Sequence, residues 1–242
     1  MIANNLKYKR VLLKLGGELF SKRGGKGIHF PAYEKIARNL IAVKKRNSIE
    51  LAIVLGGGNI LRGREVNNTP VDKVVADYMG TLATVINGLG LQEALERHGA
   101  PTRMMTAIEM KAVAEPYIRR RAQRHLEKGR IVIFTAGVGS PFFTTDSGAA
   151  LRAIETGCNV ILKATNVDGV YSDDPRKNKK AKLYSHLTYQ EAIEKGLEIM
   201  DATAFALCKR QEMPIIVFNV KALNKIDDIV RGECMGTLVS RN

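Results

Sequence analysis

The segment LAIVLGGGNILRG, residues 51–63, joins a run of apolar residues to three consecutive glycines. A short apolar run that ends in glycine is typical of a buried strand that opens into a loop. Consecutive glycines leave backbone N–H groups open to an anion, because no Cβ stands in the way. The segment therefore predicts a strand that ends in an anion-binding loop.

Neither of the two common phosphate-binding fingerprints fits these glycines. Gly56 and Gly58 begin a G-x-G-x-x-G pattern, but Leu61 stands where the third glycine belongs. Gly58 and Gly63 have the spacing of a P-loop, but arginine and glutamate follow them instead of lysine and a hydroxyl residue. The sequence therefore predicts a phosphate site that is not a P-loop.

The composition is that of a globular protein with acidic partners. The chain has 242 residues, of which 45% are hydrophobic and 26% charged, with a net charge of +14. Such a charge favours nucleic acid, an anionic membrane or phosphorylated small molecules as partners. The basic stretches at 119–125 and 176–182 lack interleaved aromatic residues, so we interpret them as solvated faces.

Cysteine usage and hydropathy predict a cytoplasmic protein. Cys158, Cys208 and Cys234 are odd in number and widely spaced, which favours reduced thiols and argues against a zinc site. We see no signal peptide and no stretch that approaches the length of a membrane span, so no membrane partner is expected.

Short apolar runs alternate with amphipathic segments along the whole chain. The predicted strands are 10–15, 51–55, 102–106, 130–136, 159–165, 214–220 and 236–239. The predicted helices are one from Pro31 onward, then 73–98, 115–128, 145–157, 189–195, 202–212 and 225–231. This alternation predicts an α/β fold with a mainly parallel sheet covered by helices on both faces, in one compact domain. Gly88 and Gly90 suggest a kink in the helix 73–98.

Ligands of such sheets lie at the carboxyl ends of the strands. Lys14 and Gly16-Gly17 follow the first strand, the triple glycine follows the second, and Lys163 ends a later one. The loop 137–146 and the turn 165–175 also follow strands. We therefore expect these loops to converge on one edge, with both lysines directed at a phosphoryl group.

Each of these residues also has a purely structural interpretation. Lys14 could be a lysine on an edge strand, with its side chain pointing to water. Asp77 could simply stabilise the positive end of a helix dipole. Thr144, Thr145 or Asp146 would serve as a helix N-cap. The aspartates at 168, 173 and 174 have the spacing of turn residues.

Five motifs together resemble the bacterial uridylate (UMP) kinases of the amino-acid kinase superfamily, over about residues 8–240. They are LLKLGGE, IVLGGGNILRG, DYMGTLATVINGL, GSPFFTTDSGAALRA and VILKATNVDGVYSDDP. The resemblance implies a three-layer α/β/α sandwich without a P-loop and the reaction of ATP with UMP to give ADP and UDP, with Mg²⁺ bound alongside ATP. It also implies a homohexamer, with GTP as an activator and UTP as an inhibitor.

The resemblance also implies roles for individual residues, with an acceptor lobe at about 1–150 and an ATP lobe at about 151–242. Lys14, Lys163 and Asp146 would be catalytic. The ATP-binding positions would be Lys14, Leu15, Gly16, Gly17, Gly58, Arg62, Thr165, Tyr171 and Asp174. The UMP-binding positions would be Gly57, Asp77, Val138, Gly139, Ser140, Pro141, Phe142, Phe143, Thr144 and Thr145. No side chain is assigned as a metal ligand.

The sequence departs from the family pattern at three places. Gly16 replaces a serine, Val138 and Ser140 replace threonine and asparagine, and the loop 22–27 differs where GTP regulation is partly located. Two other hypotheses are kept beside the UMP kinase. One is an amino-acid kinase that acts on a carboxylate or carbamate, and the other is a nucleic-acid-binding protein that uses the +14 charge.

Overall fold

A computed structural model describes residues 6–22, 24–62, 66, 69–233 and 235–241. Within these residues the strands are β1 (Arg10–Leu15), β2 (Glu50–Leu55), β3 (Thr102–Thr106), β4 (Glu115–Pro116), β5 (Ile131–Thr135), β6 (Val160–Thr165), β7 (His186–Thr188), β8 (Ile215–Asn219) and β9 (Thr237–Ser240). The α-helices are α1 (Phe30–Arg46), α2 (Lys73–Arg97), α3 (Arg119–Glu127), α4 (Thr145–Thr156), α5 (Tyr189–Glu194), α6 (Ala202–Arg210) and α7 (Ile226–Arg231).

The strands form one sheet in the order β4-β3-β5-β2-β1-β6-β8-β9-β7. Neighbouring strands are parallel except for the antiparallel pair β8 and β9. The prediction of a mainly parallel sheet is therefore confirmed. Because β1 lies in the middle of this order, the interpretation of Lys14 as an edge-strand lysine is wrong.

Helices cover both faces of the sheet and bury two separate aliphatic cores. α1, α2 and α7 contribute to the first core, and α3 to α6 contribute to the second. Successive side chains of a strand point to opposite faces, so in β1 Leu13 and Leu15 enter the first core while Leu12 enters the second. Lys14 lies on the same face as Leu12, which is the face that carries α4.

The predicted helix 115–128 is wrong at its beginning. Glu115 and Pro116 pair with β3 as a short edge strand, and the helix begins only at Arg119. Proline lacks an N–H donor and is tolerated at the edge of a sheet. The three-residue strand β7 was not predicted, because a segment of that length carries no periodic signal.

The suggested kink in α2 is also wrong, because the helix is continuous from Lys73 to Arg97. Its glycines instead allow close packing: a Cβ on Gly88 would lie 2.5 Å from Thr135 Cγ2, and one on Gly90 would lie 2.7 Å from the Tyr33 ring. By length and composition alone this helix could cross a membrane, so the expectation that no stretch approaches such a length was too strong. In this fold α2 packs on the sheet and on α1.

We predict opposite effects of alanine at two glycines of α2. Alanine at an open helix position stabilises by up to about 1 kcal/mol, because it restricts the unfolded chain. Gly80 has open space around it, whereas a Cβ on Gly88 would collide with Thr135 and Met104. Gly80→Ala should raise the free energy of unfolding, and Gly88→Ala should lower it by about 1–3 kcal/mol. Urea unfolding at one protein concentration measures both, and a stabilising Gly88→Ala would contradict the packing described.

Candidate active site

Two lysines and one aspartate form the centre of the site. Lys14 on β1 and Lys163 on β6 are partners in the parallel register of these strands. Both ammonium groups face the carboxylate of Asp146, with Lys14 Nζ 2.9 Å from Oδ1 and Lys163 Nζ 2.6 Å from Oδ2. Each of the three side chains is only 13–14% exposed. The predicted catalytic residues are thus brought together at one point.

The pKa values of Asp146 and Lys163 are both shifted in this cluster. Burial raises the pKa of the Asp146 carboxyl, but the two neighbouring ammonium groups lower it by a larger amount. The pKa therefore lies below its ordinary value. Burial lowers the pKa of Lys163, and the opposing effect of Asp146 only partly restores it. Lys163 also donates a hydrogen bond to Ile199 O at 2.6 Å. The cluster thus contains two basic side chains and one acidic side chain.

Helix α4 places Asp146 beside the lysines. Thr144 is the N-cap of this helix, since its hydroxyl oxygen accepts from the N–H groups of Asp146 and Ser147. The N-cap is therefore Thr144. Asp146 lies in the first turn of the helix, and its carboxylate is available to pair with the ammonium groups. The Thr144 hydroxyl in turn donates to the carboxylate of Asp201.

Two glycine turns contact each other: Gly16-Gly17 after β1 is the first turn, and Gly56–Gly58 after β2 is the second turn. A Cβ on Gly17 would lie 2.4 Å from Gly58 N, and one on Gly57 would lie 2.7 Å from Gly80 O. Gly16 immediately precedes this contact, whereas the Leu15 side chain is fully buried in the first core. Arg62 folds back on the second turn and donates from Nε to Gly58 O at 3.1 Å. Backbone, rather than side chain, therefore forms this wall of the site.

A cavity of about 260 Å³ lies between α2, the second glycine turn and the loop 137–145. Seven of the predicted UMP-binding residues line it: Gly57, Asp77, Val138, Ser140, Phe143, Thr144 and Thr145. The other three, Gly139, Pro141 and Phe142, belong to the same loop without lining the cavity. The loop is strained at Phe142, which has a φ of 69°. Gly139 adopts a φ of 87° without strain, because it has no Cβ.

Asp77 holds this loop against α2. Its carboxylate accepts from Phe142 N at 2.8 Å and forms an ion pair with Lys73. Burial raises the pKa of Asp77, but the hydrogen bonds from Lys73 and Phe142 outweigh it, so the pKa lies below its ordinary value. The N-cap of α2 is Asp72, so Asp77 is not needed to favour the helix end.

The remaining predicted ATP-binding residues hydrogen-bond within their own neighbourhood. Thr165, at the end of β6, donates to Val167 O at 2.8 Å, and Tyr171 donates to Asp168 at 3.3 Å. Asp174 accepts from the backbone and side chain of Arg176, as the turn interpretation predicts. Among the described residues, no hydrogen bond or ion pair joins these side chains to the lysine cluster.

Sequence reasoning missed Asp201. Its carboxylate accepts from the hydroxyls of Thr144 and Ser147 and caps α6 through Ala204 N at 2.9 Å. Together with Asp146 and Lys163 it lines a second cavity of about 550 Å³. An aspartate directly before a helix, as in MDATA at 200–204, was the available signal.

The charged cluster suits a metal ion that is held mainly by a nucleotide. In the part of the chain that the structure describes, no group of three metal-ligating side chains occurs. Asp146 Oδ1 is buried without a well-aligned hydrogen bond, although Lys14 contacts it. Mg²⁺ commonly binds one or two carboxylates plus substrate phosphates and water, and one buried carboxylate fits that mode.

Known proteins are similar to this chain in both sequence and fold. The pattern of the Amino acid kinase family matches residues 9–219. The uridylate kinase of Corynebacterium jeikeium (strain K411) is 53% identical over 236 residues, covering 97% of this chain and 95% of that protein. The solved UMP kinase of Bacillus anthracis superposes with a TM-score of 0.93 at 41% identity, covering 97% of both chains. That of Ureaplasma parvum gives 0.90 at 37% identity, covering 97% of this chain and 100% of that one.

The similarity extends over the strands that carry both lysines and over the helix that carries Asp146. With 53% identity over nearly the whole length and a family match across residues 9–219, the chain belongs to the amino acid kinase family and, within it, to the uridylate kinases.

Proposed function

We propose that this protein transfers the γ-phosphoryl group of ATP to UMP, which yields ADP and UDP. The observation that carries the proposal is the contact of Asp146 with both Lys14 and Lys163. Asp146 and Lys163 line the cavity of about 550 Å³, and Asp146 directly follows Thr145, which lines the cavity of about 260 Å³. Two buried cations next to a nucleotide-sized space are what a phosphoryl transfer requires, because charge spreads over the equatorial oxygens of the moving group. The names of the relatives supply the acceptor, UMP.

In the proposed reaction an oxygen of the UMP phosphate attacks the γ-phosphorus of ATP. The new P–O bond forms as the bond to the β–γ bridging oxygen breaks, and that oxygen leaves with ADP. The acceptor phosphate is already ionised near neutral pH, so no side chain has to act as a strong base. Lys14 and Lys163 would stabilise the equatorial oxygens, and Asp146 would orient both ammonium groups.

The binding roles follow the two sides of the glycine wall. The second turn would present Gly57 to UMP and Gly58 to ATP, with Gly16, Gly17 and the backbone of Leu15 on the ATP side. Arg62 would bind phosphate, and Asp77 would bind the UMP ribose. The loop 138–145 would enclose UMP, while Thr165, Tyr171 and Asp174 would line the ATP site. We accordingly assign the acceptor to the lobe at about 1–150 and ATP to the lobe at about 151–242.

The divalent ion expected of a kinase would be Mg²⁺ bound with ATP. Asp146 would be its nearest protein carboxylate, and the nucleotide phosphates would supply further oxygen ligands. When bound, the ion neutralises charge on the β- and γ-phosphates.

Assembly into a homohexamer is supported by an unpartnered apolar stripe on α2. The stripe consists of side chains at helical spacing that are 41–51% exposed: Val75, Tyr78, Met79, Leu82, Ile86 and Leu89. Contiguous apolar surface of this kind marks protein interfaces.

We also propose GTP activation, UTP inhibition and a cytoplasmic location, on the basis of the family resemblance. Two residues named in the sequence analysis lie outside the described residues: Arg23 in the loop 22–27, and Cys234 among the three cysteines.

The first prediction from this proposal tests the reaction and its central residue. Purified protein should phosphorylate UMP with ATP in a coupled assay, with CMP and dUMP as weaker acceptors. Asp146→Asn and Lys163→Ala should each lower kcat by about 100-fold or more, since each removes charge placed for the transition state. Asp228→Asn, at an aspartate that pairs with Arg231 on α7, is the matched control and should keep full activity. Full activity in both site variants, with circular dichroism unchanged, would remove the assignment.

The second prediction concerns alkaline pH. The pKa of Lys163 lies below its ordinary value, whereas an exposed lysine has a pKa of about 10.4. The Lys163 ammonium group should therefore lose its proton at a lower pH than an exposed lysine does. We expect kcat/KM to fall as that proton is lost. Lys163→Arg keeps its charge to higher pH, so its alkaline limb should move upward even if kcat is reduced. Lys221→Arg at an exposed lysine is the control. An identical limb in Lys163→Arg and in the unmodified protein would refute this origin.

The third prediction concerns the apolar stripe of α2. Light scattering should give a mass of six copies of the 26.7 kDa chain. Replacing Leu82 by glutamate places a charge in the stripe and should shift the mass to smaller species, whereas glutamate at the exposed Lys209 should not. A monomeric unmodified protein would contradict the proposed assembly.

A further inference from the structure

A buried polar network lies next to the second glycine turn, beside the mainly apolar first core. Its centre is Asn87 on α2, which is fully buried, and Asn59, directly after the turn, is 1% exposed. Asn87 Nδ2 donates to Gly56 O at 2.7 Å and to Asn59 Oδ1 at 2.7 Å. The side chain of a core helix therefore holds the backbone of the turn directly.

Asn87 uses its full hydrogen-bonding capacity. Both Nδ2 hydrogens are donated, and Oδ1 accepts from Tyr33 Oη at 2.7 Å and from Asn59 Nδ2 at 3.1 Å. An amide has two donors and two acceptor positions, so this arrangement fixes its orientation. No smaller or apolar residue reproduces this set of four contacts.

The network continues on both sides of Asn87. Asn59 Nδ2 reaches Gly27 O at 3.1 Å, and Gly27 N donates back to Asn59 O at 2.7 Å. On the other side, Tyr33 from α1 reaches Asn87 because Gly90 has no Cβ, which would lie 2.7 Å from the tyrosine ring. The glycine turn is thus tied to α1, to α2 and to the loop 22–27.

We propose that Asn87 is a positioning residue for phosphoryl transfer, acting through the backbone of Gly56, Gly57 and Gly58. The inference rests on the proposed function, in which this turn lies between donor and acceptor phosphates. Gly56 is fixed at both polar groups, because its N–H donates to Leu15 O at 2.8 Å while its carbonyl accepts from Asn87. The orientation of the Gly56 carbonyl sets the direction of the next peptide N–H, that of Gly57.

Energetics favour this role over a purely structural one. Burying amides costs free energy that only complete hydrogen bonding offsets, and aliphatic residues at both positions 59 and 87 would avoid the cost of burying two amides. What an aliphatic residue would not supply is a donor to Gly56 O. The network therefore specifies one conformation of the turn, as fully satisfied buried networks do.

Three variants test the proposal in the full-length protein. Asn87→Leu removes all four contacts, and Tyr33→Phe removes one hydroxyl only. Asn47→Leu is the matched control: this asparagine is also buried, and it donates to Val43 O at 3.1 Å and to Asp227, on the far part of the first core. We measure kcat and both KM values, thermal stability, and hydrogen exchange of peptides that cover 55–61.

Asn87→Leu should lower kcat by about tenfold to a hundredfold, with each KM changed less than about threefold, because the displaced N–H groups act on the moving phosphoryl group. Tyr33→Phe should lower kcat by a smaller factor and speed exchange at 55–61. Asn47→Leu should lose stability but keep kcat within about twofold.

Unchanged kcat in a folded Asn87→Leu, or an equal loss in Asn47→Leu, would overturn the proposal. If Asn87→Leu does not fold, Tyr33→Phe decides: unchanged kcat and unchanged exchange at 55–61 overturn it. Absence of UMP phosphorylation in the unmodified protein would instead refute the proposed function, and the exchange measurement tests the hold on the turn independently of that reaction.

Discussion

The structure depends on the pairing of two lysines with one aspartate at the centre of the sheet. The parallel register of β1 and β6 sets Lys14 and Lys163 side by side on one face, where burial would penalise both charges. Asp146 contacts both ammonium groups and remains ionised because they surround it. Removing a partner from such a buried group leaves uncompensated charge, so these strands and α4 must retain their relative positions.

This arrangement also accounts for the preference for a phosphoryl group. The cluster contains two basic side chains and one acidic side chain. An entering anion would add to the charge compensation that Asp146 provides. Stability of the centre and affinity for polyphosphate thus have the same electrostatic origin.

Most of the fold could be predicted from the sequence because its central strands are mostly buried. β1, β2, β5 and β6 are predominantly apolar runs with clear ends. The edge strands β4 and β7 have two and three residues and depend on pairing partners that no local pattern identifies. The lysines and Asp146 were predictable because each follows or ends a recognisable element. Asp201 and Asn87 were not, since their roles arise from partners 54–57 and 28–54 positions away.

Helix α2 connects the exposed surface of the molecule to the proposed phosphate site. Its outer stripe is apolar and unpartnered, while its inner side supplies Asn87 to the glycine turn and Asp77 to the loop 137–145. A helix transmits displacement along its axis with little internal change, because each residue is held by i→i−4 hydrogen bonds. Any partner that shifts α2 relative to α1 would therefore strain the Tyr33–Asn87 contact and, through it, Gly56. Assembly and phosphate positioning would then be coupled by packing alone, without a ligand between them.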